Sequence, residues 1–385
     1  MVLFYILFFI VVIIFAIDFA PQFYTWQSRI KIGRFIDTTI WKKAIEKKSV
    51  QWLKNTPTIK LTDNTRLIFI DILRGNYKRS VIQDWQQASL VLGLNQCFEF
   101  SNDVKVQKEI QNFIDTKIAI DGNWKINPKE IDSVILAYSF LNCTFINHNQ
   151  LKPCYDFSYN LILNLKGIDG TIAYKNHVKN YRFVDTIGFI CPFLIRYGLE
   201  FNIPEAVKLG ILQITEFNKY GLLQDKYIPC HTYRIDSKLA VGMFGWGRGL
   251  GWYAIGLIDS WTALPENHER KNVLTAAVVN FAKMAVQYQN ENGSWSWLIS
   301  DTNARLDSST TATLAWFLLN AATINEISLT CNVAKDKAVH YLMSVTRRDG
   351  TIDFSQGDTK AIGIHSQEFN LLPFTQGFAL RTINK

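Results

Sequence analysis

A chain of 385 residues that is 48% apolar, 14% aromatic and 19% charged can bury a large core and is far too apolar to be disordered or collagen-like. Its formal charge of +8 is unevenly spread: residues 28–80 hold 13 Lys and Arg against 4 Asp and Glu, and the rest of the chain is close to neutral. No nucleic-acid partner is expected, because no RNA- or DNA-binding motif accompanies that basic stretch.

The first element in chain order is residues 2–17, an unbroken apolar run. As a helix it would cover roughly 24 Å of a hydrocarbon layer about 30 Å thick. Phe19, Ala20, Phe23, Tyr24 and Trp26 extend it with aromatics of the kind that sit at a membrane interface. No Lys or Arg precedes the run, and the only small-residue cleavage candidate, Ala20, lies between Asp18 and Pro21. An uncleaved single transmembrane anchor is therefore expected rather than a signal peptide. The basic flank that follows, with Arg29, Lys31, Arg34, Lys42, Lys43, Lys47, Lys48 and Lys54, predicts that the soluble part stays on the cytoplasmic side of the inner membrane. The chain then divides into an anchor over 1–27, a basic juxtamembrane segment with a first helix over 28–80, and one domain over 81–385, since no Pro- or Ser-rich linker interrupts it.

Beyond residue 36, apolar periodicity predicts twelve helices, over 37–54, 80–100, 103–118, 128–146, 153–165, 185–200, 203–218, 251–263, 269–290, 307–324, 332–346 and 366–382. A degenerate turn punctuates them: Asp121-Gly122-Asn123-Trp124, Asp169-Gly170-Thr171-Ile172, Tyr220-Gly221-Leu222-Leu223, Asn292-Gly293-Ser294-Trp295 and Asp349-Gly350-Thr351-Ile352. Each glycine would end a helix, and the apolar residue two places on would pin a short extended segment. A period near 50 residues containing two helices means repeated hairpins, and the expected class is all-α. Six hairpins can close into an (α/α)6 toroid or continue as an open solenoid. The six cysteines (Cys97, Cys143, Cys154, Cys191, Cys230 and Cys331) and six histidines lack paired ligand spacing, so no disulfide framework, metal or cofactor is expected.

The most informative segment is Gly242–Gly256, with glycines at 245, 247, 249 and 251. No strand-turn-helix unit surrounds them, which argues against a dinucleotide loop. Bare backbone there would let Trp246, Arg248 and Trp252 project together into a cavity at the start of a helix; the alternative is a tight turn with its Trp residues in the core. Asp132 and Asp185 each fall near the start of a helix, where a carboxylate can serve chemistry or simply cap the helix and complement its dipole.

Trp246-Gly-Arg248-Gly-Leu250-Gly-Trp252 resembles the W-x-R-G-N-G-W signature of the unsaturated glucuronyl and rhamnogalacturonyl hydrolases, glycoside hydrolase families 88 and 105, with Leu250 where the family usually carries Asn. The segment 184–198 is similar to the one bearing that family's catalytic aspartate, which falls on Asp185, and 127–138 is similar to the one bearing its second, which falls on Asp132. His231 and the Asp307–Ala312 segment match further family stretches in the same order. The resemblance implies the closed toroid, no cofactor and no metal, and an oligo- or polysaccharide substrate with an unsaturated uronic acid. Asp185 would protonate C4 of that sugar and activate water for C5, with Asp132 orienting, Arg248 pairing with the carboxylate, and Trp246, Trp252 and His231 lining the site. The W-G-R-G-L-G-W version with an N-terminal anchor resembles the branch found beside polysaccharide-biosynthesis genes, which implies a surface-polysaccharide role and other proteins of that assembly as partners. Two other readings stay open: an inactive sugar-binding member of such an assembly, or an epimerase or inverting glycosidase on the same toroid.

Overall fold

The computed structural model describes residues 1–59, 62–76 and 83–385. In chain order its helices are α1 (Val2–Arg29), α2 (Thr38–Lys54), α3 (Ile68–Leu73), α4 (Gln83–Ser101), α5 (Val104–Lys117), α6 (Val134–Leu141), α7 (Lys152–Leu163), α8 (Val184–Glu200), α9 (Pro204–Tyr220), α10 (Gly247–Ala263), α11 (Lys271–Gln287), α12 (Ser308–Ala321), α13 (Ser328–Ser344) and α14 (Pro373–Ile383). The twelve predicted helices are all present. Parts of the first turn predicted at residue 80 lie outside the described residues.

Helices α4, α6, α8, α10, α12 and α14 form an inner ring in which each packs on the next and α14 returns to α4, so the toroid is closed. The pairs approach closely where side chains are missing: a Cβ on Gly377 of α14 would lie 2.1 Å from Ser89 O of α4, and one on Gly256 of α10 would lie 2.4 Å from Ile187 O of α8. Helices α2, α5, α7, α9, α11 and α13 run outside. Four inner helices are also tied across the axis by Asp259, which accepts from Tyr138 Oη at 3.0 Å, Trp316 Nε1 at 2.8 Å and Arg381 Nη1 at 2.7 Å. All four residues are buried, so this network plugs the closed end of the funnel.

The glycine turns form, but four of the five do not end a helix as expected: Gly122, Gly170, Gly293 and Gly350 lie five to seven residues past the ends of α5, α7, α11 and α13, in tight turns with φ between 77° and 88°, a left-handed conformation that favours a residue without a Cβ. Trp124, Ile172 and Ile352 then bridge back to Ile118, Lys166 and Thr346, while Gly221 ends α9 at an ordinary φ of −100°. Short strands are the departure from an all-helical reading. β1 (Tyr181–Phe183), β2 (Leu222–Leu223) and β4 (Ala240–Phe244) pair antiparallel with β3 (Ile228–Arg234), and β5 (Ser355–Gln356) pairs with β6 (Phe369–Asn370). They occupy the connections into α8, α10 and α14, at the end of the ring where inner helices begin.

Candidate active site

Every inner helix starts at the same end of the ring, and their first turns bring Trp85, Asp132, Asp185, Arg248, Asp307 and Phe374 around one mouth. Asp185 lies in the first turn of α8, whose capping position is Phe183 and receives no side-chain bond, so the carboxyl does not serve as a cap. Asp132 lies in a single 3-10 turn, Ile131–Ser133, that leads into α6 and likewise caps nothing. Arg248 lies in the first turn of α10, behind Trp246.

Polar atoms left without partners gather here. Asp185 Oδ2, Thr186 Oγ1, His231 Nδ1, His365 Nε2, and Arg248 Nε and Nη1 are all buried and unpaired among the described residues. Such groups each cost free energy in a folded chain, and a ligand that reaches them recovers it. Arg248 is anchored by its remaining nitrogen, which donates to Gly357 O at 2.9 Å and to Gln356 O. The guanidinium also lies over the Trp85 ring, 5.7 Å from its centroid. Two of its nitrogens therefore remain to meet an anion, while the third is held by backbone carbonyls.

Burial raises the carboxyl of Asp185 to about 7, aided by the nearby Asp358 and opposed by its own backbone N–H and Arg248. Burial likewise raises Asp132 to about 7; Lys175 opposes this, and Asp84, Glu130 and Asp358 reinforce it. Both acids thus carry or lose a proton near neutrality, which a solvated aspartate does not. His231 Nε2 sits 3.7 Å from Asp185 Oδ2. Burial, with His365 beside it, holds His231 down to about 3, so the pair is a neutral imidazole facing a carboxyl and not an ion pair.

Aromatic rings complete the walls. Trp246 stands between His231 at 4.8 Å and His365 at 4.7 Å, and its indole N–H donates to Gln356 Oε1 at 3.0 Å. Trp252 is deeper, surrounded by Phe189 at 4.4 Å, Phe374 at 4.8 Å and Trp85 at 5.5 Å, and belongs to the floor beneath the site. Leu250 is fully buried in the core. The structure thus brings Asp185, His231, Trp246 and Arg248 together, sets Asp132 across from them through Asp358, and places Trp252 underneath. Sequence reasoning missed Asp358, His365, Gln356 and Trp85. Three of these come from the loop around β5 and β6, which has no helical period to announce it.

Beside Asp132 a cavity of about 1390 Å³ opens between α2, α4, α5 and the 124–130 loop. Six lysines line it, Lys54, Lys108, Lys117, Lys125, Lys129 and Lys175, against Asp84, Glu109 and Glu130. Ser133 Oγ, which donates to Asp84 Oδ2 at 2.5 Å, joins its wall to the turn that carries Asp132.

A closed ring of six helical hairpins, with two protonatable aspartates and an arginine at its mouth, places the chain in the six-hairpin toroid class. Residues 60–377 match the model of glycosyl hydrolase family 88, and the chain belongs to that family. It is 19% identical over 325 residues to unsaturated rhamnogalacturonyl hydrolase YesR of Bacillus subtilis, covering 80% of this chain and 91% of the relative. Among solved structures, a possible member of family GH105 from Salmonella enterica superposes with a TM-score of 0.77 at 17% identity, covering 91% of this chain and 94% of that one. The unsaturated glucuronyl hydrolase of Bacillus sp. GL1, responsible for glycosaminoglycan degradation, gives a TM-score of 0.63 at 15% identity over 88% and 94% of the two chains.

Proposed function

We propose that this glycoside hydrolase removes a C4=C5 unsaturated uronic acid from the end of an acidic saccharide, with Asp185 as the acid and base. The observation that carries this reading is Asp185 itself: its carboxyl is raised to about 7, and its Oδ2 is buried and unpartnered opposite Arg248. A carboxyl in that state can give its proton to C4 as the double bond's electron pair forms the new C–H bond. The carboxylate left behind takes a proton from water as the water oxygen bonds to C5. The resulting hemiketal opens and releases the neighbouring sugar.

Asp132 orients the water or the sugar hydroxyls from across the mouth. Arg248 Nε and Nη1 receive the uronate carboxylate, with Trp246 and His231 closing one side and Trp252 supporting the floor. The lysine-lined cavity beside Asp132 supports an acidic saccharide on the leaving side. Helix α1 is long and apolar enough to cross a membrane, and we read it as a single anchor in the inner membrane, with the basic flank holding the hydrolase on the cytoplasmic side. There it would serve the making or trimming of a surface polysaccharide alongside other proteins of that assembly.

The test is incubation of the full-length protein with unsaturated uronyl disaccharides derived from glycosaminoglycan and from rhamnogalacturonan, following the double bond's ultraviolet absorbance. Loss of absorbance with release of the saturated sugar is expected. Unchanged absorbance across both classes would overturn the reading.

A further inference from the structure

The segment from Thr62 to Asn76 departs from the usual rule for a soluble surface. In its short helix α3, Asp71 is 2% exposed beside a buried Ile68, whereas Leu67, just before the helix, and Ile72 and Leu73 within it are 49%, 52% and 81% exposed. The buried acid is held inside by Asn64 Nδ2, at 3.0 Å from Oδ2, and by Asn76 Nδ2, at 2.9 Å from Oδ1. A helix that buries its aspartate and shows its leucines is arranged for an apolar exterior.

What lies outside it is indicated by its neighbour. Asp18, the first charged residue after the apolar run of α1, accepts hydrogen bonds from the backbone N–H of Leu67 at 2.6 Å and Ile68 at 2.8 Å. Four residues on, Gln22 Nε2 donates to Thr65 O at 3.0 Å. The start of α3 is therefore level with the point where α1 leaves its apolar run. On that stretch of α1, Phe19, Phe23, Tyr24 and Trp26 are all about half exposed or more, and Arg66 and Arg74 are exposed at either end of the segment. Aromatics, exposed leucines and flanking arginines at one depth match a bilayer interface, with arginines reaching lipid phosphates.

We propose that Leu67, Ile72 and Leu73 insert into the lipid surface beside the anchor, making the 62–76 segment a second bilayer contact. This rests on reading α1 as a membrane anchor. The segment's other end reaches the active site: Asp63 accepts from Ser366 Oγ at 2.5 Å and Gln367 N at 3.2 Å, and pairs with Lys360 Nζ at 2.8 Å. Arg29, at the end of α1, pairs with Asp353 Oδ2 at 2.7 Å and donates to Phe369 O at 3.2 Å. Anchor and segment thus grip both sides of the β5–β6 loop that carries Asp358 and His365, so lipid seating holds the rim of the mouth at the bilayer surface.

The native cysteines are all buried, so single exposed cysteines can be labelled selectively on the full-length protein. Phe8→Cys in the anchor, Leu73→Cys in α3 and Leu329→Cys, at an exposed position in the first turn of α13, would each carry an environment-sensitive fluorophore. The protein is reconstituted in phosphatidylcholine–phosphatidylglycerol vesicles containing two nitroxide lipids, one labelled near the headgroup end of its acyl chain to report on the Leu73 label and one labelled near the chain terminus to report on the Phe8 label, which lies about 15 Å deeper than Asp18. The Phe8 and Leu73 labels are expected to lose most of their emission, and the Leu329 label to keep it. A quenched Phe8 label beside a Leu73 label as bright as that at Leu329 would overturn the second contact while leaving the anchor intact. If the Phe8 label also stays bright, the anchor reading fails and takes this proposal with it.

Discussion

Asp185 and Asp307 stand at the starts of two inner helices, on the same rim of the same ring, and are wired in opposite ways. Asp307 caps α12: Oδ1 accepts from Ser309 N at 3.0 Å and from Gln356 N at 3.0 Å, while Oδ2 accepts from Thr310 N at 3.2 Å and Thr310 Oγ1 at 2.6 Å. Asp185 caps nothing and keeps a buried oxygen without a partner. The same residue type is saturated at the capping position of α12 and left with an unpartnered oxygen two positions past the cap of α8. Hydrogen-bond saturation, more than position, separates an aspartate that holds the fold from one that is free to move a proton.

The strongest way to break this comparison is to exchange the roles. Asp185→Asn should lower turnover by a factor of about 10²–10⁴, since an amide neither donates a proton to carbon nor accepts one from water. Its thermal unfolding should show an intact fold. Turnover within a few-fold of the unaltered protein would shift attention to Asp132. Asp307→Ala should do the reverse, costing about 3 kcal/mol in denaturant unfolding by stripping a buried cap and several donors of their acceptor, with any activity loss tracking unfolding.

Acidity sharpens the contrast further. The proposed acid role requires the protonated form of Asp185, so kcat/KM should fall about tenfold per pH unit once pH passes about 7. Arg248→Lys should raise KM for an acidic saccharide about tenfold, because an ammonium that satisfies the Gln356 and Gly357 carbonyls has no second nitrogen for the substrate. Stability should respond to pH as well. A carboxyl raised from 3.8 to about 7 holds its proton in the folded state longer than in the unfolded one, so stability falls as pH rises between those values. In Asp185→Asn that fall, read from unfolding at successive pH values, should shrink by up to about 4 kcal/mol.

Much of this was legible in the residues. Long apolar periods gave all twelve ring helices, and the Asp-Gly motifs marked the turns that follow outer helices, because a left-handed glycine and an apolar pin leave a local signature. The candidate site was legible in part, on helix starts at Asp132, Asp185 and Arg248 and, through the family resemblance, at Trp246 and His231. Asp358 and His365 lie in the loop between two-residue strands, and nothing near them in sequence says that they face residues more than a hundred positions away. The split use of Arg248 was equally hidden, since its competing acceptors are backbone carbonyls at 356 and 357. Helix α3 has six residues, too few for a period to register.

Ring closure has a consequence for timing. Ser89 Oγ donates to Pro373 O across 284 positions, and Gly377 seats against the same turn of α4. Individual hairpins are local and can form early, whereas this seam joins the first inner helix to the last and must await the far end of the chain. Arg248 gains its carbonyl partners only from residues 356 and 357, in the connection that leads into α14. During synthesis the chain would therefore pass most of its length as a row of hairpins with no assembled mouth, and competence to act on a sugar would arrive in a single late step.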